Sequence, residues 1–458
     1  MSVKFGTSGL RGLVTSMTPD LITAHVQAFL AACDTGGVLC VGRDLRPSSP
    51  RIADDVIAAA RAAGAHVIDC GEVPTPALAL AAQAVDGGAV MVTGSHIPAD
   101  RNGLKFYVRS GEISKTDEVA ILAHLGQVPA PDTAAGALEQ DGTANDRYIA
   151  RYVQAFGTDA LTGQRIGLYA HSAVGRDVLA RILTALGAEV IELGRSESFI
   201  PVDTEAVDPT VRDQIRLWVA EHGLDALVST DGDSDRPLLA DESGRVIPGD
   251  ILGQITAETL GAEVIATPIS SNSGVTMKNF REVHLTQIGS PYVIAAMEAT
   301  EGAVVGYEAN GGFLLGFEAR GPAGVLAPLV TRDCTLPILT VLYASRDGGI
   351  ATRVAQEPPI VTVADRLQNI EQAKSRALLE TWQQNPAVFL EPLGKEERSY
   401  DLTDGLRITL TDDNVIHVRP SGNAPELRLY IEAKDPHSAE RLLTLTLERL
   451  RQACKSSQ

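Results

Sequence analysis

A short β-rich run, a helical stretch and a second β-rich run occur twice in this chain, in the same order. Residues 38–41, 49–63 and 65–69 form one set; residues 166–170, 176–186 and 188–192 form the other. The recurrence reaches individual residues, since Gly64-Ala65-His66-Val67-Ile68-Asp69-Cys70-Gly71 mirrors Gly187-Ala188-Glu189-Val190-Ile191-Glu192-Leu193-Gly194. Alternation of this kind is the signature of βαβ units, and matching segments in the same order indicate a duplicated domain. A third, weaker copy is expected from Gly249 through Ile265 to Tyr307.

The repeat does not extend past about Pro358. There the pattern predicts two helices, 363–371 and 375–384, then strands over 406–410, 414–418 and 427–433, and a last helix over 437–451. Ala439, Leu442, Leu443, Leu447 and Leu450 recur at helical spacing along that helix. The fold class expected is therefore α/β: three related α/β domains with mixed sheets, plus a C-terminal α+β domain, around a central cleft. The expected boundaries are 1–145, 146–248, 249–358 and 359–458. A chain of 458 residues is too long for one core, which suits three or four domains.

Composition narrows the class of partner. The net charge of −19 argues against nucleic acid, whose phosphates require a basic face, yet a pocket on an acidic protein can still be locally basic. No apolar run is long enough to span a bilayer, so no membrane partner is expected. Cys33, Cys40, Cys70, Cys334 and Cys454 are odd in number and lack a C-x-x-C pair, which suggests neither a disulfide framework nor a zinc site. With no signal-like apolar stretch at the start, a cytoplasmic protein is expected.

Four polar segments follow predicted strands, where open α/β sheets gather ligands. After Ala89-Val90-Met91-Val92 comes Thr93-Gly94-Ser95-His96-Ile97-Pro98. Ser95, with His96 beside it and Lys105 ten residues on, is a candidate nucleophile with acid/base help, though a lone Ser more commonly caps a turn. After Ala226-Leu227-Val228, the carboxylates of Asp231, Asp233 and Asp235 alternate, a spacing that lets three oxygens converge on one hard cation. A solvated acidic turn is the plain alternative. An EF-hand-type loop would use Glu242 as its twelfth residue, but Arg236 stands where that loop needs Gly.

After Ala303-Val304-Val305, Glu308 and Asn310 on a Gly-rich loop suit vicinal hydroxyls, or simply close a tight turn. Finally Arg419-Pro420-Ser421-Gly422-Asn423-Ala424-Pro425-Glu426-Leu427-Arg428 sets guanidinium, hydroxyl and backbone N–H groups around one loop. That is either a phosphate cradle or a polar hairpin connection. There is no G-x-x-x-x-G-K-[ST], so it is not a Walker-type site.

In this order and spacing the four segments resemble the α-D-phosphohexomutase family over nearly the whole chain. Phe5-Gly6-Thr7-Ser8-Gly9-Leu10-Arg11-Gly12 is similar to the family's N-terminal signature, and Val41-Gly42-Arg43-Asp44-Leu45-Arg46 to its next strand-loop. The resemblance implies interconversion of hexose 6- and 1-phosphates through a hexose 1,6-bisphosphate, which would also serve as activator. It implies a phosphoserine at Ser95 and Mg²⁺ held by Ser95, Asp231, Asp233 and Asp235. Arg11 and Lys105 would support the transferring phosphate or move protons, and His96 would act as acid/base or orient its loop. Substrate contacts fall to Arg236, Glu308, Asn310, Arg419, Ser421, Gly422, Asn423 and Arg428.

Two departures from the family pattern stand out. Ile97 replaces the Asn of Ser-His-Asn-Pro, and Asn310 and Gly312 replace the Ser and His of Glu-x-Ser-Gly-His. Among the branches of the family the sequence looks closest to the one acting on mannose phosphate; glucose and glucosamine phosphates are the alternatives. The partner implied is a small sugar phosphate and the protein a monomer or homodimer. Rival readings are a sugar-phosphate-binding protein that kept the fold, and a phosphatase or kinase-like phosphotransferase using an Asp of the triplet.

Overall fold

The computed structural model describes residues 3–6, 9–127, 134–421 and 425–456. Within them, three α/β units share one strand plan. In the first, Val38–Arg43 runs parallel to His66–Glu72 on one side and Gly88–Val92 on the other, and Arg101–Val108 returns antiparallel to the latter. In the second, Arg165–Tyr169 lies between the parallel strands Glu189–Leu193 and Ala226–Thr230, and Pro237–Ala240 returns. In the third, Val264–Pro268 lies between Glu282–Thr286 and Val304–Tyr307, and Phe313–Leu315 returns. The copy weakest in sequence keeps the whole plan.

The strands Gly88–Val92, Ala226–Thr230 and Val264–Pro268 are buried at every residue. Parallel strands covered on both faces must be apolar almost throughout, which is why they read as continuous hydrophobic runs. In each unit the last parallel strand and its antiparallel return are joined by a short connection at the carboxyl end of the parallel strands. Those three connections carry Ser95, the Asp triplet and Glu308. Each contains a residue with left-handed backbone: Ser95, Ser234 and Gly311, at φ of 54°, 56° and 84°.

Additions to the plan position further side chains. Leu10–Leu13 pairs with Arg101–Val108 and sets Arg11 opposite Gly103. A Cβ at Gly103 would meet Leu10 O at 2.4 Å, so only glycine permits this approach. The third sheet continues through Leu329–Asp333, which carries Arg332. One hydrophobic core runs through the second and third units, from Tyr148 to Ile350, and takes in Ala77 of the first, while the rest of the first unit and the C-terminal unit have cores of their own.

The C-terminal unit is a five-stranded antiparallel sheet. Its strand order is Val361–Gln368, Glu426–Ala433, Val415–Pro420, Leu406–Leu410 and Glu397–Asp401, with helices Gln372–Gln384 and Pro436–Ser456. The helix expected over 363–371 is not formed. Those residues belong mostly to the edge strand Val361–Gln368, paired along its full length with Glu426–Ala433. Val363, Leu367 and Ile370 fall at helical spacing by coincidence. Three consecutive β-branched residues, Val361, Thr362 and Val363, and an open sheet edge decide for strand. Asn369, at φ 60°, turns the chain before the helix begins at Gln372. Among the described residues no helix is long and apolar enough to cross a membrane.

Candidate active site

Ser95 is almost wholly buried, and its Oγ donates to Asp231 Oδ2 at 2.5 Å, across 136 residues of sequence. A buried arginine of the same unit holds the loop open for this contact. Arg46 donates to four backbone carbonyls of the loop and its exit: Ser95 (2.7 Å), Ile97 (2.5 Å), Pro98 (2.8 Å) and Arg101 (2.9 Å). Asp44 holds Arg46 at 3.1 Å and also receives Thr93 Oγ1, which accepts from the Ser95 N–H. A Cβ at Gly94 would lie 2.6 Å from Arg46 Cζ, so the glycine of this loop makes room for the guanidinium. The sequence places Asp44 and Arg46 in a strand-loop; the four carbonyl bonds give them a positioning function that depends on chain segments some fifty residues away.

The carboxylates of Asp231, Asp233 and Asp235 are fully buried, and one oxygen from each lies within 4.8 Å of the others. Their oxygens are divided in use. Asp233 Oδ2 receives Thr75 Oγ1 at 2.6 Å and Lys105 Nζ at 2.5 Å, and Lys105 also donates to Asp235 Oδ2. Arg332 Nε donates to the same Asp235 oxygen at 2.9 Å. That leaves Asp233 Oδ1 and Asp235 Oδ1 buried without hydrogen-bond partners. Two orphaned carboxylate oxygens beside Asp231 and a serine hydroxyl form an all-oxygen donor set, which fits a hard divalent cation. Glu242 belongs elsewhere: it accepts from the N–H groups of Ile350 and Ala351.

Burial and the neighbouring charges of Asp233 and Asp235 push Asp231 well above the usual carboxylate range. Burial acts the same way on Asp235, but Arg332, Lys105 and Arg236 outweigh it and hold Asp235 far below that range. His96 lies 3.3 Å from Ser95 Oγ and accepts from Arg236 at Nδ1, 3.1 Å away. Burial, then the charges of Arg236 and Arg11, lower its imidazole to about 3, so it is neutral at pH 7. Arg11 itself is lowered to about 10 by burial and by Arg236 and Arg332. Arg11, Lys105, Arg236 and Arg332 thus concentrate positive charge on a chain that is acidic overall.

Glu308 and Asn310 sit on the third connection. Asn310 closes its own turn, accepting from Gly312 N at 3.0 Å and donating to Glu308 Oε2 at 3.4 Å. Glu308 Oε2 is also 3.4 Å from Arg332. In the C-terminal sheet, Arg428 faces Arg419 on one neighbouring strand and Arg366 on the other. Like charges directly opposite are unfavourable unless an anion or carboxylate joins them. Here Glu426 approaches Arg428 and Arg366, each at 3.5 Å, and Asp404 approaches Arg419 at 3.3 Å. The helix expectation had hidden Arg366, since only strand register puts it in this row. Ser421 holds the loop base, its N–H bonded to Glu426 O; Gly422 and Asn423 lie outside the described residues.

A site of this composition, on a thrice-repeated α/β unit with an α+β appendage, defines a phosphohexomutase architecture. Models of the phosphoglucomutase/phosphomannomutase α/β/α domains I, II and III and C-terminal domain match residues 2–129, 146–244, 248–356 and 351–448, and the chain belongs to that family. It is 44% identical over 464 residues to a phosphomannomutase of Sinorhizobium fredii, covering 97% of this chain and 98% of that one. It is 41% identical over 459 residues to a phosphomannomutase of Salmonella muenchen, covering 98% and 96%. A phosphoglucomutase/phosphomannomutase family protein of Burkholderia thailandensis has the same fold, with a TM-score of 0.80 at 22% identity over 98% of this chain and 96% of that one.

Proposed function

We propose that this phosphohexomutase interconverts mannose 6-phosphate and mannose 1-phosphate, with Ser95 as the phosphoryl carrier. The carrying observation is the 2.5 Å contact between Ser95 Oγ and Asp231 Oδ2. A phosphoryl group on Ser95 would lie against three buried carboxylates. Such crowding of anions is tolerable only with a divalent cation between them. Asp231, Asp233, Asp235 and a Ser95-borne oxygen would hold Mg²⁺, which when bound neutralises charge on the transferring phosphoryl group.

The free hydroxyl of the sugar attacks the phosphorus on Ser95; the new P–O bond forms as the Ser95 Oγ–P bond breaks, and the hydroxyl's proton passes overall to Ser95 Oγ, giving hexose 1,6-bisphosphate and free Ser95. After the bisphosphate reorients, Ser95 Oγ attacks its other phosphorus and the second phosphate returns to the enzyme. The same bisphosphate phosphorylates any free Ser95, and so acts as activator. Lys105 and Arg11 offset the charge of the transferring group. His96 is too weak a base at about 3 to hold a proton at pH 7; its Nδ1 accepts from Arg236 and fixes that guanidinium beside Ser95. Arg236 adds charge on the same side. Glu308, with its loop shaped by Asn310, accepts from sugar hydroxyls. Arg419, Ser421, Gly422, Asn423 and Arg428 hold the non-reacting phosphate and so choose which hydroxyl faces Ser95.

The division at 145/146, 248/249 and 358/359 belongs to this reading, with one ligand loop to each part. Mannose is favoured over glucose or glucosamine by the full-length relatives above. Five free cysteines, four of them buried, fit a reducing compartment and support a cytoplasmic enzyme.

The test is mutase turnover on mannose, glucose and glucosamine phosphates at fixed Mg²⁺, with the intact mass of the enzyme. Wild-type enzyme is expected to carry a phosphoryl adduct and to prefer mannose phosphate. Ser95→Ala should lose the adduct and at least about a thousandfold in turnover. Chelation of Mg²⁺ should abolish turnover, and added Mg²⁺ restore it. Undiminished turnover by Ser95→Ala, or release of inorganic phosphate in place of isomerisation, would overturn the proposal.

A further inference from the structure

Arg332 was not singled out by any motif, yet it stands between two of the ligand loops. It is one of the largest fully buried side chains in the protein. Its Nε donates to Asp235 Oδ2 and its Nη2 lies 2.9 Å from the same oxygen, while Nη1 reaches Ser290 Oγ at 3.1 Å and Glu308 Oε2 at 3.4 Å. One planar guanidinium therefore spans from the carboxylate triad of the second unit to the hydroxyl-binding carboxylate of the third.

The path of its stem explains a departure in the sequence. A Cβ at Gly312 would lie 2.8 Å from both Cγ and Cδ of Arg332 and 3.0 Å from its Cβ. Any side chain at 312 would contest the space that the arginine uses to enter the site. Gly312 stands where the family pattern Glu-x-Ser-Gly-His has His.

We infer that Arg332 is a positioning residue that fixes the Glu308 carboxylate relative to Asp235, and that Gly312 is bare to admit it. The fork is needed as well as the charge. An ammonium is a single point of attachment, whereas the guanidinium holds Asp235 along one edge and presents another N–H to Glu308. The inference rests on the reading of Glu308 as the acceptor of sugar hydroxyls.

A double-mutant cycle with Glu308→Gln tests it. Glu308→Gln alone should raise KM for mannose 6-phosphate by about tenfold and narrow the preference for mannose over glucose phosphate. Arg332→Met should do the same, and the double variant should be no worse than Glu308→Gln, because one residue acts through the other. Arg332→Lys should restore the melting temperature without restoring KM. Titration with Mn²⁺ alone should give dissociation constants for Arg332→Met within about threefold of wild type, since the three Asp remain. If Arg332→Met does not fold, Gly312→Ala keeps the arginine, displaces its stem, and should raise KM in the same direction. Additive effects on KM, a wild-type KM in Arg332→Lys or Gly312→Ala, or Mn²⁺ binding lost with Arg332 would each overturn the inference. No effect of Glu308→Gln would instead remove the sugar-loop reading beneath it.

Discussion

Most side chains that shape this site act from inside the protein, where an unpaired polar atom is expensive and a paired one is rigid. Asp44 and Arg46 illustrate the second case, and Asp233 Oδ1 and Asp235 Oδ1 the first. Asp250, beside the third ligand loop, shows what burial does to a carboxylate. It accepts from Ile251 N at 2.9 Å and Asn272 N at 2.8 Å, yet burial still raises it to about 6. The folded state then holds this proton more tightly than the unfolded one, so stability contributed by Asp250 is full below pH 4 and lost as pH rises through 6. That rise corresponds to about 3 kcal/mol. Denaturant titrations of wild type and Asp250→Asn should show the wild type losing about that much relative to the variant between pH 4 and pH 7. An unchanged difference would contradict the environment described for Asp250.

At the scale of elements, hydrophobic pattern and hairpin connection account for the three repeated units, whereas local pattern misjudged the edge strand Val361–Gln368. The segment's own residues are compatible with either state. Its partner Glu426–Ala433, about sixty residues later, supplies the hydrogen bonds that decide. The helix Ala144–Phe156 shows how elements are tied across units. Tyr148 and Tyr152, one turn apart, both donate to Asp333, the neighbour of Arg332 on the third sheet. Tyr152→Phe should leave a buried carboxylate oxygen short of a donor and cost about 2 kcal/mol. A denaturant midpoint unchanged from wild type would show that the bond contributes nothing net.

Across the whole molecule, the cores divide the chain differently from the ligand loops. The second and third units share one core, while the C-terminal sheet has its own and meets the third unit through polar bonds. Glu432 accepts from Ser273 N at 2.9 Å, Asp404 from Ile288 N at 3.0 Å, and Asn272 donates to Ile360 O at 2.9 Å. An interface of this kind opens more readily than a shared apolar core. Native-state hydrogen exchange should find Arg165–Tyr169 and Val264–Pro268 opening together, and Leu406–Leu410 with Val415–Pro420 opening separately at lower free energy. A single opening energy for all four strands would refute this division.

The repeat, the α/β class and the three connections that bear Ser95, the Asp triplet and Glu308 were legible in the chain itself. Strand periodicity and turn chemistry are local, and the ligand loops follow directly from the strands that end in them. Arg46, Thr75, Arg332 and Arg366 were not legible, since each acts on partners lying from 24 to 158 residues away and carries no local mark of doing so. Ser95 spans both cases. Its place after a buried strand is written in the sequence, but its 2.5 Å contact with Asp231 exists only because two copies of one unit pack with their loops face to face. Local chemistry determines which groups a loop can offer, and tertiary packing alone decides which of them share a pocket.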